Sequence, residues 1–280
     1  MPTKTAEFHS DILVSTSWLA EHLNDPELVI LHVGVRGRED CEGAHIPHAR
    51  FVALQEIAPV KDGLGFELLS LDEAQRLFSR LGISDASPVV VYGDWSGLAA
   101  ARAYWTLDYF GHGDRTRVLD GGLEKWQEED LPVAEGPVEV KPAPFTARIS
   151  PKVLTHFEAV QKAVQRGEPL LIDARPREEY TGELAVEGVP RAGHIPGAVH
   201  LFWQEFIVGK YEPQLRPVAE LSKRLKAIGM TAEKPAVFYC RTGVQASFLY
   251  LVAKLLGYDS TVYDGSFQEW SNKPDVPVEK

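Results

Sequence analysis

Ala236-Val237-Phe238-Tyr239-Cys240-Arg241-Thr242-Gly243-Val244-Gln245, continuing as Ala246-Ser247-Phe248-Leu249-Tyr250-Leu251-Val252-Ala253-Lys254-Leu255-Leu256, is the stretch on which the fold turns. Its first four residues form an unbroken apolar run of strand length, which predicts a strand buried on both faces. The last eleven read as a helix. Between them lies a short polar loop holding a glycine. Outward from this stretch the same alternation recurs. Apolar runs at 28–31, 88–92, 117–119, 170–172 and 261–263 read as further strands, with amphipathic helical patterns at 72–81 and 220–228. Buried strands alternating with helices imply a parallel sheet covered on both faces. In such a sheet, ligands bind beyond the carboxyl ends of the strands.

The chain also repeats itself, and a repeat has to be recognised before the fold can be read. Gly43-Ala44-His45-Ile46-Pro47 returns as Ala192-Gly193-His194-Ile195-Pro196. Val89-Val90-Val91-Tyr92-Gly93-Asp94 returns as Ala236-Val237-Phe238-Tyr239-Cys240-Arg241. Val118-Leu119-Asp120-Gly121-Gly122-Leu123-Glu124-Lys125-Trp126 returns as Val262-Tyr263-Asp264-Gly265-Ser266-Phe267-Gln268-Glu269-Trp270, and Pro132-Val133 returns as Pro277-Val278. The blocks keep their order, which is the signature of a duplicated domain. Prolines at 132, 137, 142, 144 and 151 mark an extended connector, because proline fixes φ and removes a backbone donor. The expected domains are 1–142 and 143–280.

Composition narrows the function. The 280 residues carry 29 basic and 40 acidic side chains, for a net charge of −11. That balance argues against broad nucleic-acid binding. Two cysteines cannot build a disulfide framework or a four-cysteine metal site. No run approaches the roughly 18 apolar residues of a membrane span, and the first residues lack the apolar centre of a signal peptide. A soluble, cytoplasmic protein is expected.

Cys240 stands where a buried strand hands over to a helix. Backbone N–H groups and the positive end of the helix dipole converge there. With Arg241 beside it, the thiol is expected to have a lowered pKa. A buried core thiol is the competing reading. The repeat separates the two: aligning Gly97 with Gly243 places Asp94 where Cys240 stands, and a core thiol is poorly replaced by a carboxylate. The second half is therefore expected to carry the chemistry, in a loop whose N–H groups face the sulfur.

These residues bring the chain to a known family. Asp173-Ala174-Arg175, the run Glu178-Glu179-Tyr180-Thr181-Gly182, the block 193–198, the Cys240–Gln245 loop, and Asp264-Gly265 with Trp270 resemble the tandem-domain rhodaneses. These are the thiosulfate and 3-mercaptopyruvate sulfurtransferases. The resemblance covers nearly the whole chain. It implies two similar α/β domains, a catalytic cysteine only in the second, and no cofactor. It further implies transfer of sulfur from a small anionic donor to a nucleophilic acceptor through a Cys240 persulfide. The implied substrate-binding residues are Arg241, Thr242, Gly243, Val244, Gln245 and Arg175. For Arg175 an intradomain salt bridge is the alternative. Mercaptopyruvate enzymes of the family tend to carry glycine and serine after the cysteine, and an arginine where this chain has Glu179. Here Arg241 and Thr242 follow the cysteine, which favours thiosulfate. A basic residue beside the cysteine matches the thiosulfate enzymes, whereas their second loop position is often lysine and here is Thr242.

Other readings compete. Phosphatases of a related fold need an arginine at the position occupied by Ala246. An inactive rhodanese-like binding module lacks the cysteine, a description that suits the first half alone. Tyr104 and Trp105 follow the inactive loop and either line a cleft or fill the core. His45 and His48 read as a turn entering a strand and not as metal ligands, so no metal is expected. Cys41 lies in a charged stretch and reads as a bystander.

Overall fold

The computed structural model describes residues 12–35, 43–209 and 212–280; Cys41 lies outside them. The first half runs β1 (Leu13–Val14), α1 (Thr16–His22), β2 (Val29–Gly34), β3 (Arg50–Ala53), α2 (Leu54–Ile57), α3 (Leu71–Arg80), β4 (Val89–Gly93), α4 (Leu98–Tyr109), β5 (Thr116–Leu119) and α5 (Gly122–Glu128). The second runs β6 (Leu154–Thr155), α6 (Phe157–Arg166), β7 (Leu170–Asp173), α7 (Arg177–Tyr180), β8 (Val199–His200), α8 (Val218–Ala227), β9 (Ala236–Tyr239), α9 (Val244–Leu255), β10 (Ser260–Tyr263) and α10 (Ser266–Asn272).

Each half holds a five-stranded sheet, ordered β1-β5-β4-β2-β3 and β6-β10-β9-β7-β8, and every pairing is parallel. The orders correspond strand for strand, as a duplication requires. Every residue of β2, β4 and β9 is buried, which is why those segments read as unbroken apolar runs.

The repeated sequence blocks perform repeated structural tasks. The Tyr92 hydroxyl accepts from the Ile46 N–H at 3.2 Å, and the Tyr239 hydroxyl accepts from the Ile195 N–H at 3.2 Å. The Trp126 indole donates to the Pro132 carbonyl, and Trp270 donates to Pro277. Each histidine of the His-Ile-Pro pairs exchanges backbone bonds with the end of its own half, His45 with Ala134 and His194 with Glu279. The His45 ring nitrogens both lie 2.9 Å from backbone carbonyls, those of Ile46 and Gly136.

Residues 132–150 form no helix or strand, as their prolines require. This strap stays on the first half. Ala143, Arg148 and Ser150 donate backbone bonds to Ser79, Phe110 and Tyr109, so the boundary expected near 142 falls inside the strap.

The halves meet along α4 and α9, both buried over nearly their whole length. A helix buried all round belongs to the middle of a molecule. One apolar cluster accordingly contains Leu98, Tyr104 and Trp105 of the first half with Phe248, Leu249 and Leu251 of the second. Tyr104 and Trp105 are therefore core aromatics; the Trp105 indole donates to the Val153 carbonyl at 3.0 Å. Among the described residues no helix is long and apolar enough to cross a membrane.

Candidate active site

β9 delivers Cys240 to the carboxyl end of the second sheet, at its centre. Gly243 then caps α9 with φ +82°, a left-handed conformation that glycine adopts without steric cost. Space makes the same demand: a Cβ there would lie 2.7 Å from Arg102 Nη1, 2.8 Å from Asp264 Oδ1 and 3.0 Å from the Asp264 carbonyl. In the first half Gly97 caps α4 at φ +81°, so the two loops share one backbone design.

The loop is pinned from behind by α10. Cys240 N–H donates to Ser266 Oγ at 3.2 Å, and that hydroxyl donates to the Tyr263 carbonyl at 2.8 Å. The Cys240 and Arg241 carbonyls accept from Phe267 and Gln268 at 2.9 and 3.0 Å. The N–H groups of Thr242, Gln245 and Ala246 favour the charged form of the Cys240 sulfur.

Cys240 itself is 1% exposed. Here the structure corrects the expected lowered pKa. Burial pushes the thiol up and Asp173 adds to that, and the three N–H groups offset them only in part. The Arg241 charge is engaged elsewhere. Its guanidinium forks onto Glu179, with Nε at 3.2 Å from Oε2 and Nη2 bonded to Oε1. Glu179 is buried on α7, while the Arg241 side chain is 43% exposed at the mouth.

Arg175, expected near the donor or in an intradomain salt bridge, makes the salt bridge. It is 1% exposed, and its guanidinium is occupied by Asp173 at 2.6–3.1 Å and by the Gly193 carbonyl at 2.7 Å. Glu179 lies 3.9 Å away on another nitrogen, and the Phe267 ring lies against the guanidinium at 4.0 Å. A chain of alternating charges, Asp173, Arg175, Glu179 and Arg241, thus runs from the sheet to the mouth.

The other loop residues divide by burial. Thr242 and Gln245 are half-buried near the mouth, and Val244 turns its side chain into the core, leaving its backbone to the loop. Ala246, where a phosphatase of related fold would need its arginine, supplies an N–H instead. In the first-half loop the equivalent bonds of Tyr92 and Tyr239 set Gly93 against Cys240; the next residue, Asp94, which the glycine alignment pairs with Cys240, accepts from His32 Nε2 at 3.3 Å and from the Val35 N–H at 3.1 Å.

Sequence reasoning missed the cover that the first half places over this loop. Leu68 N–H donates to Asp264 Oδ2 at 2.9 Å, and Gly65 N–H donates to Gln268 Oε1 at 3.0 Å. Beside them an open cavity of about 450 Å³ is lined by Lys61, Glu67, Tyr109, Asp264 and Glu269 from both halves. Burial, together with the Asp264 and Glu269 carboxylates, raises Glu67 to about 7.

The rhodanese-like domain matches this chain twice, over residues 15–129 and 156–273. The chain belongs to the rhodanese family. As a tandem-domain rhodanese it has full-length relatives. It is 35% identical to the sulfur carrier protein TtuD of Thermus thermophilus, over 97% of this chain and 98% of that one. It is 33% identical to the thiosulfate sulfurtransferase of Pseudomonas aeruginosa, over 96% and 97%. The crystal structure of SseA from Escherichia coli, a 3-mercaptopyruvate sulfotransferase with the rhodanese fold, superposes with a TM-score of 0.81 at 29% identity, covering 91% of this chain and 98% of that one. The chain is thus a sulfurtransferase-family protein, with relatives named for two different donors.

Proposed function

We propose that this rhodanese transfers the outer sulfur of thiosulfate through a persulfide on Cys240. The observation that carries the reading is Cys240 at the carboxyl end of the central strand, where the left-handed Gly243 opens α9, with the N–H groups of Thr242, Gln245 and Ala246 favouring its charged form. Those groups stabilise an anion on the cysteine without reorganising. The Cys240 thiolate attacks the outer sulfur of thiosulfate. The sulfur–sulfur bond of the donor breaks, and its electron pair leaves on sulfite. The cysteine now holds a persulfide. The lone pair of a second nucleophile, cyanide or a thiolate, then attacks the terminal sulfur, and the electrons of the bond return to Cys240 as a thiolate.

The buried sulfur suits a slim attacking partner: a terminal sulfur atom reaches it more readily than a bulky group. Arg241 at the mouth is the cation for the sulfonate end, and Thr242 and Gln245 border the same entrance. Preference for thiosulfate over 3-mercaptopyruvate rests on Glu179. That buried carboxylate stands between Arg175 and Arg241, at the position where the mercaptopyruvate enzymes tend to carry an arginine that a ketoacid carboxylate would pair with.

Steady-state kinetics with both donors tests the reading. Wild type is expected to show ping-pong kinetics and a higher kcat/KM with thiosulfate, and Cys240→Ser is expected to lose turnover with either donor. Higher kcat/KM with 3-mercaptopyruvate overturns the donor assignment; turnover retained by Cys240→Ser overturns the mechanism.

A further inference from the structure

The duplication allows each residue of one half to be compared with its counterpart in the other, and one difference falls beside the cysteine loop. Asp264 and its counterpart Asp120 do the same job in mirror image. Asp264 accepts from the Leu68 N–H of the first half, and Asp120 accepts from the Leu215 N–H of the second, each at 2.9 Å. Each half thus lays a loop across the strand ends of the other. What faces the two carboxylates differs. With Gly97 matched to Gly243, Arg102 of α4 corresponds to Phe248 of α9. Arg102 pairs with Asp264 at 2.6 Å, while Asp120 shares its small cavity with Phe248, and burial raises its pKa.

Arg102 is fully buried. Nη1 binds Asp264, Nη2 binds the Phe66 carbonyl of the covering loop, and the guanidinium lies 4.6 Å from the Trp105 ring centre. The same Nη1 occupies the space next to Gly243 that a Cβ would need. One cation from the half without a nucleophile therefore touches the covering loop, the carboxylate after β10 and the glycine of the cysteine loop.

We propose that Arg102 is a positioning residue for sulfur transfer: it neutralises Asp264 beside the cysteine loop and locks the first-half loop 65–68 onto it, making the inactive domain part of the active site. This rests on the reading of Cys240 as the sulfur carrier. Arg102 acts through Asp264 and Gly243 and touches no reacting atom. Lys61, Glu67 and Glu269 also face the Asp264 side of this junction, across the neighbouring cavity.

The full-length protein tests this with three variants: Arg102→Met, Asp264→Asn and the double variant. The readouts are the pH midpoint of Cys240 alkylation by iodoacetamide, kcat and KM with thiosulfate, and the melting temperature. Arg102→Met leaves an uncompensated carboxylate by the loop, so the midpoint is expected to rise and kcat to fall at least tenfold, with KM changing less than threefold. Asp264→Asn leaves the cation, so the midpoint is expected to fall. The double variant is expected to return towards the wild-type midpoint. Opposite shifts that cancel in the double variant are not produced by loss of packing. Shifts of the same sign, or unchanged midpoint and kcat with only a lower melting temperature, overturn the proposal. If Arg102→Met does not fold, the Asp264→Asn and double-variant midpoints decide in the same way. Persulfide formation by wild type is measured separately: its absence removes the reading of Cys240, whatever the variants do.

Discussion

Cys240 holds its sulfur where charge is costly, and the loop around it lowers that cost without removing it. The thiol is pushed up by burial against three opposing N–H donors. The unliganded enzyme is therefore expected to react with iodoacetamide at a rate that rises with pH, with a midpoint above the ordinary thiol value of about 8.5. A midpoint at 7 or below would show that the donors and Arg241 outweigh burial. Cys240 is singled out in the sequence because matching Gly97 to Gly243 sets it against Asp94. Its acidity was not legible, because Arg241 looks available in sequence while in space Glu179 claims it. Glu179 bridges two arginines and is almost fully buried. Removing one member of a buried ion pair typically costs about 3–5 kcal/mol. Glu179→Gln is expected to lose stability of that order in urea denaturation and to weaken thiosulfate use by releasing Arg241 from its position. A loss below about 1 kcal/mol would mean that the charge chain contributes little.

At the scale of elements, the central strands and α9 were readable because burial on both faces writes an unbroken apolar run, and α3 and α8 through their amphipathic periodicity, whereas α4 and α6 were not predicted. β9 was predicted with its observed ends, and β2, β4, β5, β7 and β10 within a few residues. The edge strands β1 and β6 were not readable, since two residues carry no periodicity. Nor was the covering loop 61–69, whose role depends on partners about 200 positions away, Asp264 and Gln268. Glu67 on that loop gives it a pH signature. Its folded pKa, about 7, lies above its ordinary carboxyl value, so the fold prefers the protonated form. That preference is fully present below the unfolded value of about 4.3 and is lost as pH rises through 7. Glu67→Gln, which cannot ionise, is expected to gain melting temperature relative to wild type between pH 5 and pH 8. A constant difference across that range would show that Glu67 is not held in the raised state.

The whole molecule is two copies of one fold that no longer do the same work. The first copy, to residue 142, carries 12 basic and 24 acidic residues, and the second carries 17 and 16. The half proposed to bind a dianion is thus nearly neutral, while the acidity sits on its partner. The two are joined by one apolar cluster and by buried polar links, Arg102 to Asp264 and Tyr250 to Asp108. Calorimetry is therefore expected to show one cooperative transition, whereas two separated transitions would contradict a shared core. That coupling was invisible in the sequence, where the repeat suggests two independent beads; it comes from α4 and α9 burying each other. The central claim remains that this assembly exists to carry one sulfur on one cysteine. Mass spectrometry of the intact protein and its Cys240 peptide after mixing with thiosulfate tests it most directly. A gain of one sulfur atom on that peptide is expected, removed by cyanide and absent in Cys240→Ser. An unchanged Cys240 peptide, or the added sulfur on the peptide containing Cys41, would contradict it.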